Sequence, residues 1–321
     1  MILPSFETLI LQPPPDMDEK LFARIAPVAL GSRADSTLRG ERDGYNALAR
    51  FAKPLDAPPN IDELIEFFET ESNRVGRQSM RTRRNAASLL YRWLNLPNLT
   101  QNPLVRMYVN ARMRQAKPSE PMDPMLDNDL EGAMRICELD DKPLRGLRDA
   151  ALLSFLRHSA MRGSEVSALN FDADISLFDR SMSVRIRRSK SDQFSDGDTI
   201  WVQATADERF CPLAAMRRWR EVFDGEHIFC GLKNNGLPRA VRLGLAGINS
   251  VVKKYMALLG HDPNDYGSHS GRSGYVTEGY RHGVSEADML AVTRHKNVDI
   301  LRKYRRFLPD VYENVARQLG L

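Results

Sequence analysis

The chain has 321 residues, with 46 Lys and Arg against 42 Asp and Glu, six His and three Cys. Its 42% hydrophobic and 27% charged residues exclude wholesale disorder, a collagen-like repeat and a disulfide scaffold. Cys137, Cys211 and Cys230 form no CxxC pair, so neither a disulfide framework nor a zinc ribbon is expected, and no apolar run approaches the ~18 residues of a membrane span. The N-terminus lacks the basic start and small-residue cleavage site of a signal peptide. These features predict a soluble protein of a reducing compartment.

The first thirty residues, with Pro13, Pro14 and Pro15 in a row, read as an N-terminal extension or arm. A helix is expected from Ser36, with Ser or Thr near its N-cap. Asn60 offers a cap to IDELIEFFETES, whose early acids suit the helix dipole. A basic helix follows from Arg77, and Asn102-Pro103 starts another that runs to about Met113. Residues 31–117 thus predict a small all-α domain. AKPSEPMDP, between Ala116 and Pro124, predicts a linker at 118–123, and 124–321 a second domain. That second domain shows helix signals at 127–137, 144–157, 212–223, 247–259, 269–281, 286–293 and 300–305. A last helix is expected from Asp310, with Val311, Val315 and Leu319 at spacing four. Met182, Val184 and Ile186 alternate with polar residues before a polar turn and Thr199–Val202, which predicts a hairpin and nearly all of the β structure. The fold class is therefore mainly α with a small antiparallel sheet.

Charge is distributed unevenly. Residues 74–119 carry ten basic residues and no acidic one, while residues 1–73 carry seven basic and thirteen acidic. An acid-free block in an otherwise balanced chain suggests a footprint for a polyanion, although charge alone favours a solvated basic surface over any named partner. On a helix of about 100° per residue, Arg77, Arg81, Arg84 and Arg92 fall within about 80° of one another, opposite Ala86, Leu89, Leu90, Trp93 and Leu94. Four guanidinium groups would face phosphates while the other side packs on its own domain. Arg83 falls on the apolar side and does not fit this scheme. A membrane-surface helix is the weaker alternative.

Four separate segments then carry reactive residue types in one order. Arg162 follows an apolar helix in SAMRGSE, Lys190 lies in the hairpin turn RRSKSDQ, His269 and Arg272 form H-S-G-R, and His295 and Tyr304 lie nine residues apart in TRHKNVDILRKYRR. This pattern resembles the tyrosine recombinase (phage integrase) family over about residues 31–321. The resemblance implies an all-α, SAM-like core-binding domain followed by an α-rich catalytic domain. It also implies a catalytic set of Arg162, Lys190, His269, Arg272, His295 and Tyr304. DNA would lie between the domains, and the protein would assemble as a homotetramer on paired duplex target sites.

The chemistry explains those residue types. A tyrosine phenol can hold the energy of a cut phosphodiester as a covalent phosphotyrosine, which a second DNA hydroxyl then attacks. Negative charge spread over non-bridging oxygens calls for fixed cations, and Arg162 and Arg272 can each place two N–H donors there. Lys190 suits the acid that protonates the leaving 5′ oxygen, His269 would handle the nucleophile's proton, and His295 would donate to the phosphate. The scheme calls for no metal and no cofactor. Tyr280 and Tyr312 compete as nucleophiles: the first falls early in the chain and the second lies past Pro309. Glu165, three residues after Arg162, either braces the site or is a solvated acid. Departures from the usual family pattern are Ser159-Ala160-Met161 before the first arginine, Gly271 inside H-x-x-R, and Thr293-Arg294 before His295. The expected role is integration, excision or resolution of a mobile DNA element. A type IB topoisomerase, a hairpin telomere resolvase and a catalytically idle DNA-binding regulator are the alternatives.

Overall fold

A computed structural model describes residues 3, 5–11, 13, 17–31, 35–53, 57–116, 121–187, 197–295 and 297–307. Lys190, Tyr312 and the helix expected from Asp310 lie outside the described residues. The chain divides into two compact units, Met1–Glu120 and Pro121–Leu321. Among the described residues, no helix is long and apolar enough to cross a membrane.

The first unit is helical throughout: α1 (Phe6–Leu11), α2 (Glu19–Gly31), α3 (Asp35–Ala52), α4 (Ile61–Ser72), α5 (Arg77–Trp93) and α6 (Pro103–Gln115). Asn60 caps α4 in a reciprocal box: its Oδ1 accepts from the Glu63 N–H at 3.0 Å, and Glu63 Oε2 accepts from the Asn60 N–H at 2.8 Å. Asn102 caps α6 by accepting from the Leu104 N–H at 2.9 Å, with Pro103 in the first turn, where its missing N–H costs nothing. The core of this unit gathers Leu48, Leu64, Phe67, Phe68, Leu90 and Val105.

Residues 1–30 differ from the arm expected of them. They form two helices, and Phe6 and Leu9 of α1 are buried in the same core. Burial of each such side chain is worth about 1.5–3 kcal/mol. The apolar spacing of Phe6 and Leu9 outweighs the proline signal that follows them.

The second unit opens with α7 (Asp127–Glu138) and the long α8 (Pro143–Ser159), which ends at Ala160 in a left-handed conformation with φ 50°. Short helices α9 (Gly163–Ser167) and α10 (Phe171–Asp174) lead into β1 (Ile175–Leu177), β2 (Ser181–Ile186) and β3 (Asp198–Gln203). These strands form one antiparallel sheet in which Met182 faces Val202 and Val184 faces Ile200. The alternation read from the sequence is the core face of this hairpin: Met182, Val184, Ile186, Ile200 and Val202 are all buried. Then come α11 (Pro212–Val222), a second two-stranded antiparallel sheet of β4 (Cys230–Leu232) and β5 (Pro238–Arg242), and α12 (Leu245–Leu258). The unit continues with α13 (Ser270–Arg281), α14 (Glu286–Thr293) and α15 (Val298–Arg302), followed by a 3-10 turn at Lys303–Phe307.

Helix α8 is the spine of the second unit, with Ala151, Leu152, Leu153, Phe155 and Leu156 fully buried. Helix α13 lies against it at backbone distance. A Cβ on Gly271 would meet the Leu156 carbonyl at 2.8 Å, and one on Gly274 would meet the Met125 carbonyl oxygen at 2.0 Å. The glycine inside H-S-G-R is thus the residue that lets α13 approach α8. Beyond α13, a small apolar cluster of Val276, Met289, Leu301 and Tyr304 ties α14, α15 and the final turn to it.

Candidate active site and basic helix

Two turns of chain carry the first arginine. After the left-handed Ala160, Arg162 stands at the N-cap of α9. Its Nη1 donates to Glu165 Oε1 at 2.8 Å, and the Glu165 carboxylate also accepts from the Arg162 backbone N–H at 3.1 Å. Glu165 is buried, and the two arginines that flank it, Arg294 and Arg162, hold its carboxyl below the ordinary carboxylate range against the opposing effect of burial. The solvated-acid alternative for Glu165 is therefore excluded; it braces the cluster.

The first turn of α13 supplies the second arginine. Arg272 is fully buried. Its Nη1 donates to the Ala160 carbonyl at 2.7 Å, its Nη2 donates to the Thr293 carbonyl, and its Nε donates to His295 Nε2 at 3.3 Å. Burial and the Arg162 charge push its pKa down to about 10, the signature of a cation with no carboxylate partner of its own. Thr293 orders the neighbouring imidazole as well. Its hydroxyl donates to the Met289 carbonyl at 2.6 Å and so accepts from His295 Nδ1 at 2.8 Å. With a proton on Nδ1 and the Arg272 donor facing Nε2, His295 is neutral. Burial and the Arg272 charge lower its pKa to about 3. In this arrangement its Nε2 accepts from Arg272, so the expected donation from His295 to a phosphate requires an arriving anion to favour the protonated ring.

His269, one turn before Arg272, has its Nε2 2.8 Å from the Tyr304 hydroxyl. Burial, then Arg272 and Arg162, lower the His269 pKa to about 4, so the ring is neutral at pH 7. With its proton on Nδ1, such a ring accepts at Nε2 from the phenol. Tyr304 is buried, its ring held by the Val276, Met289 and Leu301 cluster. Of the rival tyrosines, Tyr280 donates to Glu286 Oε1 at 2.9 Å and lies under Arg305, and burial raises its pKa to about 12.

The structure thus brings Arg162, His269, Arg272, His295 and Tyr304 into one connected cluster, built from the ends of α8, α13 and α14 and the last described turn. Sequence reasoning missed the supports. Ala160 and Thr293 act through backbone carbonyls, which any residue type supplies. The left-handed turn at Arg294, φ 56°, has no sequence signal when the residue is not glycine. Elsewhere in the second unit, Asp127, Glu278 and His282 each offer a ligand atom within 4.8 Å of the others. Arg157 pairs with Asp127 at 2.7 Å and Arg281 with Glu278 at 3.0 Å, so those carboxylates are already neutralised.

In the first unit, the basic helix is α5. Arg81 is exposed and Arg84 half-buried, and neither has a hydrogen bond or ion pair among the described residues. Arg92 is exposed and turns its Nε onto the Ser88 carbonyl at 3.3 Å. Arg77 is committed elsewhere: its Nε donates to the Met113 carbonyl at 2.7 Å and its Nη2 to that of Ala116, closing the end of α6. Arg83, the residue that broke the amphipathic pattern, pairs with the buried Glu71 at 2.6 Å.

No family model matches the chain. Over 285 residues it is 22% identical to the integrase/recombinase xerD homolog of Selenomonas ruminantium, covering 85% of this chain and 82% of that protein. Among solved structures it is similar to XerH site-specific recombinase bound to palindromic difH substrate, a post-cleavage complex, with a TM-score of 0.61, 14% identity, and 94% and 84% of the two chains covered. It is also similar to a lambda integrase dimer bound to a COC′ core site, with a TM-score of 0.56, 14% identity, and 91% and 82% coverage. The chain thus has the fold of these site-specific recombinases and integrases, and its sequence is similar to that of an integrase/recombinase.

Proposed function

We propose that this chain is an active site-specific DNA recombinase that cuts and rejoins duplex DNA through a 3′-phosphotyrosine. The observation that carries this reading is the 2.8 Å contact between the Tyr304 hydroxyl and His269 Nε2, beside two arginines that present fixed donors. In the forward step the Tyr304 oxygen attacks phosphorus and its proton passes to His269 Nε2. The bond from phosphorus to the 5′ oxygen breaks, and that oxygen takes a proton from a general acid, the role that the family resemblance gives Lys190. Arg162 and Arg272 balance the charge that grows on the non-bridging oxygens. Rejoining is the reverse, with the 5′ hydroxyl of a partner strand as nucleophile.

In this reading residues 31–117 form the core-binding domain, with Arg81, Arg84 and Arg92 of the four expected arginines as its phosphate contacts, since Arg77 is spent on the end of α6. The substrate is a pair of duplex target sites, held by a homotetramer as the family resemblance implies, and the product is an integrated, excised or resolved DNA element. The similar proteins support a DNA substrate: XerH is bound to difH, and lambda integrase is bound to a core site as a dimer.

The test is covalent trapping. Duplexes selected by the wild-type chain from a randomised pool, then nicked so that cleavage cannot reverse, should give a protein–DNA band on a denaturing gel. Tyr304→Phe should bind the same duplexes and give no such band. A band that persists in the variant would move the nucleophile to another tyrosine, Tyr312 first.

A further inference from the structure

Arg294 occupies a position where a helix turns left-handed. It ends α14 with φ 56° and ψ 37°, a conformation that glycine adopts without strain and arginine does not. Its side chain is nevertheless only 10% exposed and is aimed into the cluster described above. Nη2 donates to Glu165 Oε2 at 2.6 Å, on the same carboxylate whose other oxygen holds Arg162. Nε and Nη1 are buried and have no hydrogen-bond partner among the described residues, and the nearest acid to Nε is Asp198, half exposed and 3.9 Å away. A buried guanidinium with idle donors needs an acceptor that the described residues do not provide.

The charge count says which acceptor. Glu165 is the one buried carboxylate that pairs with Arg162 and Arg294, while Arg272 bonds only carbonyls and a neutral imidazole. His269 and His295 are both neutral at pH 7. Among the described residues of the cluster, three guanidinium groups against one buried carboxylate leave two positive charges uncompensated. A phosphodiester carries one negative charge at rest and two when an anionic oxygen has added to phosphorus. The surplus therefore matches the phosphorane and not the resting diester, the condition under which binding lowers a barrier.

We infer that Arg294 is a third phosphate-binding arginine of this site, offering its free Nη1 and Nε donors to a non-bridging oxygen of the cleaved phosphodiester as charge builds there. This rests on the reading of Tyr304 as nucleophile and deepens it. The competing role is a brace that acts only by holding Glu165 in place.

The experiment measures single-turnover covalent complex formation at saturating protein. The probe is the wild-type-selected nicked duplex, made once with a phosphodiester and once with a neutral methylphosphonate at the cleaved position. Arg294→Gly suits the left-handed backbone, and Arg294→Lys keeps a charge beside Glu165; melting curves report that both are folded. Losing a donor of this kind should slow Arg294→Gly by ~10² on the phosphodiester and by less than about 3-fold, relative to wild type, on the methylphosphonate, with Arg294→Lys between. Equal slowing on both probes would assign Arg294 to bracing Glu165, and no slowing would leave it outside the reaction; either result overturns the inference. A wild-type chain that forms no covalent complex would instead bring down the Tyr304 reading, and this one with it.

Discussion

Helix α5 and the N-terminal end of α13 both deploy arginine, in opposite physical settings. Arg81 and Arg84 stand on a helix face with no partner among the described residues, whereas Arg272 is fully buried and each of its nitrogens has an acceptor. On α5 only charge and its approximate position matter, because water screens and solvates the groups. At Arg272 the planar fork matters, since three acceptors at the ends of α8 and α14 depend on it. Replacement by lysine, which keeps the charge and removes the fork, separates the two uses.

The largest effect is expected at Arg272. Arg272→Lys leaves the Ala160 and Thr293 carbonyls and His295 short of donors and takes a bidentate group from the transition state. That should cost on the order of 3 kcal/mol in the cleavage barrier, about 10² in the rate of covalent complex formation, with a lowered melting temperature. Arg162→Lys, at a residue partly open to solvent, should cost a similar factor in rate with a smaller change in melting. Arg81→Lys should change neither by more than about 2-fold. Near-wild-type cleavage by both Arg162→Lys and Arg272→Lys would make the buried arginines structural and erase the contrast.

Next in size is a change that touches no charge. Gly271→Ala places a methyl 2.8 Å from the Leu156 carbonyl, so α13 must move off α8. Overpacking of this kind costs about 1–3 kcal/mol, read as a shift in denaturant midpoint. Because His269 and Arg272 ride on the same turn, cleavage should fall as well. A variant that is destabilised and still cleaves at the wild-type rate would show that the turn tolerates displacement.

These two cases also show what the chain made legible. The order of reactive residue types exposed α13 and α14, and the two-residue period exposed the β2–β3 hairpin, because that hairpin buries one face. They did not expose β4 and β5: one is three residues long and the other is almost wholly exposed, so neither has a face to mark. Arg83 looked anomalous because a buried ion pair with Glu71, on another helix, has no signature in local spacing. Proline punctuation at 13–15 hid α1, whose anchoring depends on partners elsewhere in the first unit. Within the site, the clustered side chains were legible by type, and the carbonyls of Ala160 and Thr293 that hold Arg272 were not.

Acid separates the regions in a third way, since the buried cluster holds histidines that resist protonation. His269 and His295 of the cluster, and His158 outside it on α8, have folded pKa values of about 4, 3 and 4, below the unfolded value of 6.5, burial being the main cause in each. Between those values the unfolded chain binds more protons than the folded one. Their contribution to stability is therefore complete above pH 6.5 and is lost as pH falls toward 4. The denaturant midpoint should decline over that window. Cleavage normalised to folded protein should stay level down to about pH 5, because His269 must be neutral to accept from Tyr304, and fall below it. An acid limb near pH 6.5 would mean that His269 titrates as an exposed ring.

The smallest effect concerns α5 and decides whether its arginines meet DNA at all. Arg81 and Arg84 are the pair to remove, since Arg77 closes the end of α6 and its loss would mix folding with binding. If both touch phosphates, Arg81→Ala with Arg84→Ala should make the log–log salt dependence of duplex binding shallower by up to about 1.8, at ~0.9 per contact. Backbone contacts carry no sequence information, so affinity should drop alike for the selected duplex and for unrelated DNA. Covalent complex formation should recover once protein concentration restores occupancy, which distinguishes this pair from Arg272, whose deficit persists at saturation. An unchanged slope would return the acid-free block of residues 74–119 to a solvated surface, and the search for the DNA contacts of the first unit would move to Arg92 and the basic residues of α6.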